Sequence, residues 1–293
     1  MKHQAGYVNI IGKPNAGKST LMNALVGERL AIVTQKAQTT RHRILGIVNE
    51  EQYQIIYSDT PGIFEPGYKL QKAMMNFIHD ALVDADIFLV IHDAKDQELD
   101  KAIIEKINSS DIPVIFVLNK IDLLDQNKVM ELIKFWEEIF PKGNIIPASA
   151  LHQFNIDKIQ DVIKELLPES PPYYGKDELT DKPLRFFIAE IIREKILLQY
   201  KKEIPYSVEV VVDEFKDTDK LVRIKGTVFL ERESQRKIVI GHQGKAIKGL
   251  GISARKDIEK FLNKHIFLDL SVKISKDWRD DDNKLKKFGY PVE

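Results

Sequence analysis

The sequence predicts two domains: a doubly wound α/β domain with a mostly parallel sheet, then a smaller α+β domain. Three observations carry this. Up to about residue 167, short Val-, Ile- and Phe-rich runs alternate with segments of helical spacing, the pattern of a parallel sheet covered on both faces. Pro168, Pro171 and Pro172 then fall within five residues and cannot continue a helix. Beyond them the order changes to α-β-β-α-α-β. A length of 293 residues suits two domains of roughly 100–200 each. The expected division is 1–167, a stiff Pro-rich linker over 168–183, a second domain over 184–279 and a tail over 280–293.

The elements follow in order. Tyr7–Ile11, Ile55–Tyr57, Ile87–Ile91, Val114–Leu118 and Asn144–Pro147 read as strands. Arg43–Asn49 with Glu51–Tyr57 reads as one antiparallel hairpin pair. Ser19–Val26, Tyr68–Val83, Ala102–Ile107, Val129–Phe140 and Ile156–Leu167 have helical spacing. In the second domain Leu184–Leu198 is helical, and Tyr206–Asp213 and Leu221–Leu230 alternate as strands. Gln235–Ile240 and Lys245–Asn263 are helices, and Ile266–Ile274 is the last strand. No internal repeat is present.

Composition narrows the chemistry. Hydrophobic residues make up 43% and charged residues 30%, which excludes a wholly disordered chain. The absence of cysteine excludes disulfides, thiolate metal sites and cysteine catalysis, and fits a reducing cytoplasm. No apolar run reaches the ~18 residues of a spanning helix, and no signal peptide is expected at the start. The 44 basic residues balance 44 acidic ones, but unevenly: residues 1–170 hold 18 Lys and Arg against 23 Asp and Glu, so 171–293 hold 26 against 21. Residues 236–264 concentrate Arg236, Lys237, Lys245, Lys248, Arg255, Lys256, Lys260 and Lys264. Only the second half is therefore expected to meet a polyanion.

Gly12-Lys13-Pro14-Asn15-Ala16-Gly17-Lys18-Ser19, followed by Thr20, matches the phosphate-loop pattern between a strand and a helix. Its backbone N–H groups and the helix N-terminus can face one anion. Lys18 is expected to reach the β- and γ-phosphates, and the Ser19 hydroxyl to bind Mg²⁺. Asp59-Thr60-Pro61-Gly62 follows the strand at Tyr57; Asp59 suits the Mg²⁺ hydration shell, and the Gly62 N–H can sense a γ-phosphate. Asn119-Lys120-Ile121-Asp122 ends the fourth parallel strand. The Asp122 carboxylate can accept from guanine N1–H and the 2-amino group, whereas adenine would leave it unpaired, a loss that discriminates by about 10⁴–10⁵. Lys120 can lie across the base, Asn119 can brace the loop, and in Ala148-Ser149-Ala150 the Ala150 N–H can meet guanine O6.

This ordered set resembles the translation-factor-related GTPases over residues 5–167. The resemblance implies a switch loop at Gln38-Thr39-Thr40-Arg41, in which either Thr39 or Thr40 would bind Mg²⁺ and the γ-phosphate. Ras-like members carry a glutamine after the third motif; here Ile63 stands there, as in the branch with a hydrophobic residue. In part of that branch the asparagine equivalent to Asn15 helps bind K⁺, so K⁺ stimulation of slow intrinsic GTP hydrolysis to GDP is the corresponding expectation.

Ile240-Gly241-His242-Gln243-Gly244-Lys245 contains G-x-x-G between two helical segments, and its α-β-β-α-GxxG-α-β setting resembles the type II KH domain over residues 201–276. Such a loop clamps about four unpaired nucleotides. Ile240 and Ile247 would floor the groove, with Lys245, Lys248 and Arg255 beside the phosphates. Either Trp278 and Arg279 touch RNA, or Trp278 just covers the last strand. One GTPase domain followed by one KH domain resembles a family of bacterial GTPases of ribosome assembly. That resemblance implies binding near the 3′ end of small-subunit ribosomal RNA, a checkpoint in 30S maturation, and peripheral contact with the inner membrane surface. DNA is not expected as a partner, and the chain is expected to be a monomer. The alternatives are a P-loop kinase of a small substrate and an RNA-binding module whose nucleotide is structural.

Overall fold

A computed structural model of the protein describes residues 2–292 apart from Gln97, Glu98, Asp100 and Asp219, with the backbone alone at Ala102 and Ile103. The chain divides into two compact units, Met1–Glu65 with Met74–Asp181, and Pro66–Ala73 with Lys182–Glu293.

In chain order the first part comprises β1 (Gln4–Ile11), α1 (Lys18–Val26), β2 (Ile44–Asn49), β3 (Tyr53–Asp59), α2 (Lys69–Val83), β4 (Ile87–Asp93), α3 (Lys101–Asn108), β5 (Val114–Asn119), α4 (Gln126–Ile139), β6 (Asn144–Pro147) and α5 (Ile156–Leu166). Six strands form one sheet in the order β2-β3-β1-β4-β5-β6, with β2 alone antiparallel to its neighbour. β4 and β5 are buried along almost their whole length, which is why they read as unbroken apolar runs. Phe116, Trp136 and Phe140 stack in the core between β5 and α4. The strand order reverses at β1, so the crevice beyond its carboxyl end is where a ligand is received.

Residues 168–181, expected as a stiff connector, pack along the first unit as a strap. Ala5 N–H donates to Pro168 O and Ser170 N–H to His3 O. The buried Gln54 carboxamide then holds the segment with both ends of its amide: Oε1 accepts from Tyr173 and Tyr174 N–H, and Nε2 donates to Tyr174 O. The strap finishes beside the sheet edge, where Ile47 N–H donates to Leu179 O at 2.8 Å and Leu45 N–H to the Asp181 carboxylate at 3.0 Å. Proline prevents helix here, and the open hydrogen-bonding edge of β2 supplies the partners.

The second unit holds α6 (Leu184–Gln199), α7 (Ile204–Ser207), β7 (Glu209–Asp217), β8 (Val222–Leu230), α8 (Glu233–Ile240), α9 (Lys245–Leu262), β9 (Ile266–Ile274) and α10 (Asp282–Lys287). The sheet order is β7-β8-β9, antiparallel then parallel. Ile188, Ile192 and Ile196 of α6 and Leu250, Ala254 and Ile258 of α9 recur every fourth residue and bury one stripe of each helix on the sheet. The first strand starts at Glu209 rather than Tyr206. Pro205 suits the first turn of a helix, and Tyr206 and Ser207 N–H close that turn on Glu203 O. A bulge between Val212 and Glu214 then carries β7 on to Asp217.

Trp278 is fully buried, donating its Nε1–H to Ser207 O, with Phe288 edge-on to its ring. Of its two sequence readings the packing one holds, because its polar tip is spent on backbone. Arg279 pairs with Glu231. The segment from 280 onward also folds back: Leu285 is buried, and the Tyr290 hydroxyl donates to Glu209.

Candidate nucleotide and RNA sites

The loop from Gly12 to Ser19 joins the end of β1 to α1. A Cβ at Gly12 would stand 2.3 Å from Ile91 O, and Gly17, at φ +108°, would set one 2.3 Å from the Asn119 amide; only glycine lets the loop lie this close to β4 and β5. Asn119 Nδ2 donates to Ala16 O and its Oδ1 accepts from Ala150 N–H, so one carboxamide ties the phosphate loop to the segment after β6. The Ala150 N–H, expected for guanine O6, is thus committed to Asn119 in this structure.

Lys18, 5% exposed, turns its ammonium back onto Gly12 O and Lys13 O at 2.9 and 2.8 Å. Burial lowers its pKa to about 8, against the opposing pull of Asp59. Asp59 is fully buried, and burial raises its pKa to about 6 although Ser19, Lys18, Thr40 and Thr60 all favour the carboxylate. Its Oδ2 accepts from Ser19 Oγ at 2.7 Å and from Thr40 Oγ1 at 3.3 Å, and the two hydroxyls are 2.9 Å apart. Oδ1 has no hydrogen-bond partner despite complete burial. Three hard oxygen donors and one orphaned carboxylate oxygen are what an oxygen-seeking divalent cation requires, so the residues fit Mg²⁺.

The two threonines that the sequence left open are held differently. Thr39 Oγ1 donates to Lys36 O and contacts Thr34 Oγ1, whereas Thr40 joins Ser19 and Asp59. The neighbouring Arg41 is fully buried. Asn15, at φ 62°, donates to Gln35 O in the same loop. Thr60 Oγ1 donates to Ile10 O, Pro61 and Gly62 follow against the phosphate loop, and Ile63 packs on the β4–β5 core.

Lys120, in the left-handed region, donates to Asn15 O and pairs with Asp93 at 2.7 Å. Ile121 begins a short turn and packs on the core, and Asp122 accepts from Ser149 Oγ at 2.6 Å, with His152 3.7 Å from its other oxygen. Lys13 pairs with Asp96, and His92 Nε2 lies 2.9 Å from Asp96 O. Sequence reasoning missed Asp93, Asp96 and His92. They lie at the end of β4, the one parallel strand before β6 to which no motif was assigned.

In the second unit, Gly241 (φ 71°, ψ 176°), His242, Gln243 (φ 52°) and Gly244 (φ 74°) make a tight turn between α8 and α9. His242, Gln243, Lys245 and Lys248 are exposed, as is Arg255 two turns beyond Lys248, while Ile240 and Ile247 are half-buried. Lys245 and Lys248 are three residues apart and Lys256 and Lys260 four, with exposed Ile252 between the two pairs, so the four lysines lie on one exposed stripe of α9 that an apolar residue interrupts. Arg255 lies 3.6 Å from Glu259.

Residues 7–120 match the family model described as 50S ribosome-binding GTPase, and residues 203–279 match the KH domain. GTPase Era of Staphylococcus haemolyticus is 43% identical over 99% of this chain and 98% of its own length. The chloroplastic GTPase ERA1 of Zea mays is also 43% identical, over 98% of this chain and 71% of its own length. A crystal structure of Era in complex with MgGDPNP and nucleotides 1506–1542 of 16S ribosomal RNA superposes with a TM-score of 0.93 at 38% identity, covering 99% of this chain and all of that one. An Aquifex aeolicus Era variant bound to GDP·AlF4⁻ gives the same values.

Proposed function

As the chain belongs to the Era GTPases and hydrolyses GTP, we propose that it is a guanine-nucleotide switch that binds the 3′ region of small-subunit ribosomal RNA through its KH domain and acts in 30S subunit maturation. The observation that carries the nucleotide half is the oxygen cluster of Ser19, Thr40 and Asp59 beside the buried Lys18 ammonium. The turn at Gly241–Gly244 with its basic stripe along α9, and the 16S RNA bound by the similar Era structure, support the other half.

In this reading Gly12 to Thr20 cradle the phosphates, and Lys18 exchanges its carbonyl partners for the β- and γ-oxygens. Gly62 N–H meets the γ-phosphate, with Thr60, Pro61 and Ile63 fixing the turn around it. Ser19, Thr40 and Asp59 would hold Mg²⁺, which when bound neutralises phosphate charge. Asn119, Lys120, Ile121, Asp122, Ser149 and Ala150 form the guanine pocket, with Asp122 reading N1–H and the 2-amino group. Asn15, through its contact with the switch loop, is the candidate K⁺ ligand; turnover equal in K⁺ and Na⁺ buffers would remove K⁺ from the reading. Gly241, His242, Gln243 and Gly244 clamp single-stranded RNA over Ile240 and Ile247, with Lys245, Lys248 and Arg255 on its phosphates.

We further propose that the protein works as a cytoplasmic monomer whose basic surface makes peripheral contact with anionic membrane headgroups. Sizing chromatography and liposome flotation test those two points. No helix among the described residues is long and apolar enough to cross a membrane.

Two titrations test the core of the reading. Calorimetry is expected to give GTP a preference over ATP on the order of 10⁴, and Asp122→Asn should erode it. Lys245→Ala with Lys248→Ala should weaken binding of RNA of the 1506–1542 sequence and leave GTP affinity unchanged. Equal capture of ATP and GTP would sink the switch, and RNA binding indifferent to both lysines would sink the KH assignment.

A further inference from the structure

The strap ends on the strand that continues the switch loop. Thr40 lies four residues before β2, and the chain between them is stiff: Arg43 is held by Asp84 at 2.6 Å, by Ser58 at 2.7 Å and by Asn9. β2 is the edge of its sheet, paired on one side with β3. On its other side the strap is its partner. Leu45 N–H donates to Asp181 Oδ1, Ile47 N–H to Leu179 O and the Asn49 side chain to Glu178 O, at 3.0, 2.8 and 2.8 Å. As the strap runs from Glu178 to Asp181, its partners run from Asn49 back to Leu45. It therefore climbs the edge strand toward the switch loop, and α6 begins only three residues after Asp181.

From this juxtaposition we infer that Asp181 is a positioning residue for GTP hydrolysis. By fixing the Leu45 N–H it sets where β2, and with it the loop bearing Thr40, lies over the nucleotide, and so makes hydrolysis answer to RNA held by the KH domain. The inference rests on the RNA-binding reading above and adds the path by which the two activities meet. An edge strand is held by few bonds, so shifting its strap partner by a fraction of an ångström moves the strand's start. Conversely, drawing Thr40 toward a bound nucleotide pulls on Leu45 and hence on Asp181. The short link from Asp181 through Lys182 and Pro183 leaves little slack before the first turn of α6, and Pro183 restricts it further. The anchors at residues 3–5 hold the segment against β1, and Gln54, Glu178 and Leu179 hold it at Asn49 and Ile47, farther along β2. Leu45 is the strap-bound residue of β2 nearest Thr40, so the effect is assigned to the Asp181 end.

The test measures single-turnover GTP hydrolysis by the full-length protein, with and without RNA of the 16S 1506–1542 sequence. It compares wild type, Asp181→Ala, Asp181→Asn and a variant with glycines inserted after Lys182. RNA is expected to change the wild-type rate by about fivefold or more, and Asp181→Asn, which keeps an oxygen acceptor for Leu45 N–H, should retain that factor. Asp181→Ala and the insertion should bring the factor to within about twofold of unity. The insertion, which keeps the Asp181–Leu45 bond, should leave the RNA-free rate close to wild type, whereas Asp181→Ala should lower it. Because the insertion leaves every strap bond in place, it tests transmission separately from stability. Retention of the wild-type factor by either Asp181→Ala or the insertion would overturn the inference. A wild-type rate indifferent to bound RNA would overturn it too, by removing the coupling. Failure of the wild type to bind that RNA would instead refute the RNA-binding reading on which the inference stands.

Discussion

Replacing the two glycines of the KH turn by alanine should separate a glycine the fold requires from one the ligand requires. Gly241 has φ 71° and ψ 176°, a region essentially closed to other residues, and strain there costs about 1–3 kcal/mol. Its added Cβ would also stand 2.6 Å from the Ala246 Cβ, roughly 1 Å inside normal carbon contact, so the first turn of α9 must shift. Gly244 has φ 74° and ψ 10°, where a side chain costs roughly 1–2 kcal/mol, and nothing lies within 4 Å of its added Cβ. Gly241→Ala should therefore destabilise the second unit by about 3 kcal/mol, and Gly244→Ala by about 1 kcal/mol. The chain has two tryptophans, Trp136 in the first unit and Trp278 in the second. In a Trp136→Phe background, urea unfolding followed by Trp278 fluorescence isolates the relevant transition. Binding of the 1506–1542 RNA by the Gly244→Ala protein should nevertheless weaken by about tenfold or more, because the methyl projects into the space the sugar-phosphate chain would enter. Equal destabilisation by the two substitutions, or wild-type RNA affinity for Gly244→Ala, would refute this reasoning.

Four further outcomes follow from the geometry. Thr40→Ala should weaken Mg²⁺-dependent binding of a GTP analogue by about 10–100-fold while Thr39→Ala changes it little, as metal titration would show. GTP affinity should fall toward tenfold per pH unit above about 8, because binding must then return a proton to Lys18. Mg²⁺ affinity should fall similarly below about 6, because the metal must displace a proton from Asp59, so calorimetry across pH should show a plateau between. Trp278→Ala should cost about 3–5 kcal/mol in the second unit, measured by denaturant unfolding, since it empties a fully buried site and strands Ser207 O.

What was legible in the sequence followed from how local its cause is. Strands buried on both faces, such as Val114–Asn119, must be continuous apolar runs, and glycines pressed against β4 and β5 must stay glycine, so sheet and phosphate loop were both readable. The same holds for the fourfold spacing on α6 and α9. The strap was not readable, because its bonds to β2 use backbone groups at Ile47 and Leu179 that any residue carries, and prolines announce only where a helix stops. Thr39 and Thr40 are chemically alike and differ only in the direction each side chain takes from the loop. Trp278 could be assigned to packing only once Ser207 O was seen to take its N–H. Asp93 and Asp96 gave no signal because their partners, Lys120 and Lys13, are remote in sequence.

The most direct measurement is the affinity of the full-length protein for labelled 1506–1542 RNA, determined by fluorescence anisotropy with GDPNP and again with GDP at one salt concentration. A nucleotide that repositions the switch loop and strap must alter that affinity, by about fivefold or more, and the RNA must alter the relative affinity for the two nucleotides by the same factor. Identical RNA affinities in the two states would contradict the account at its centre.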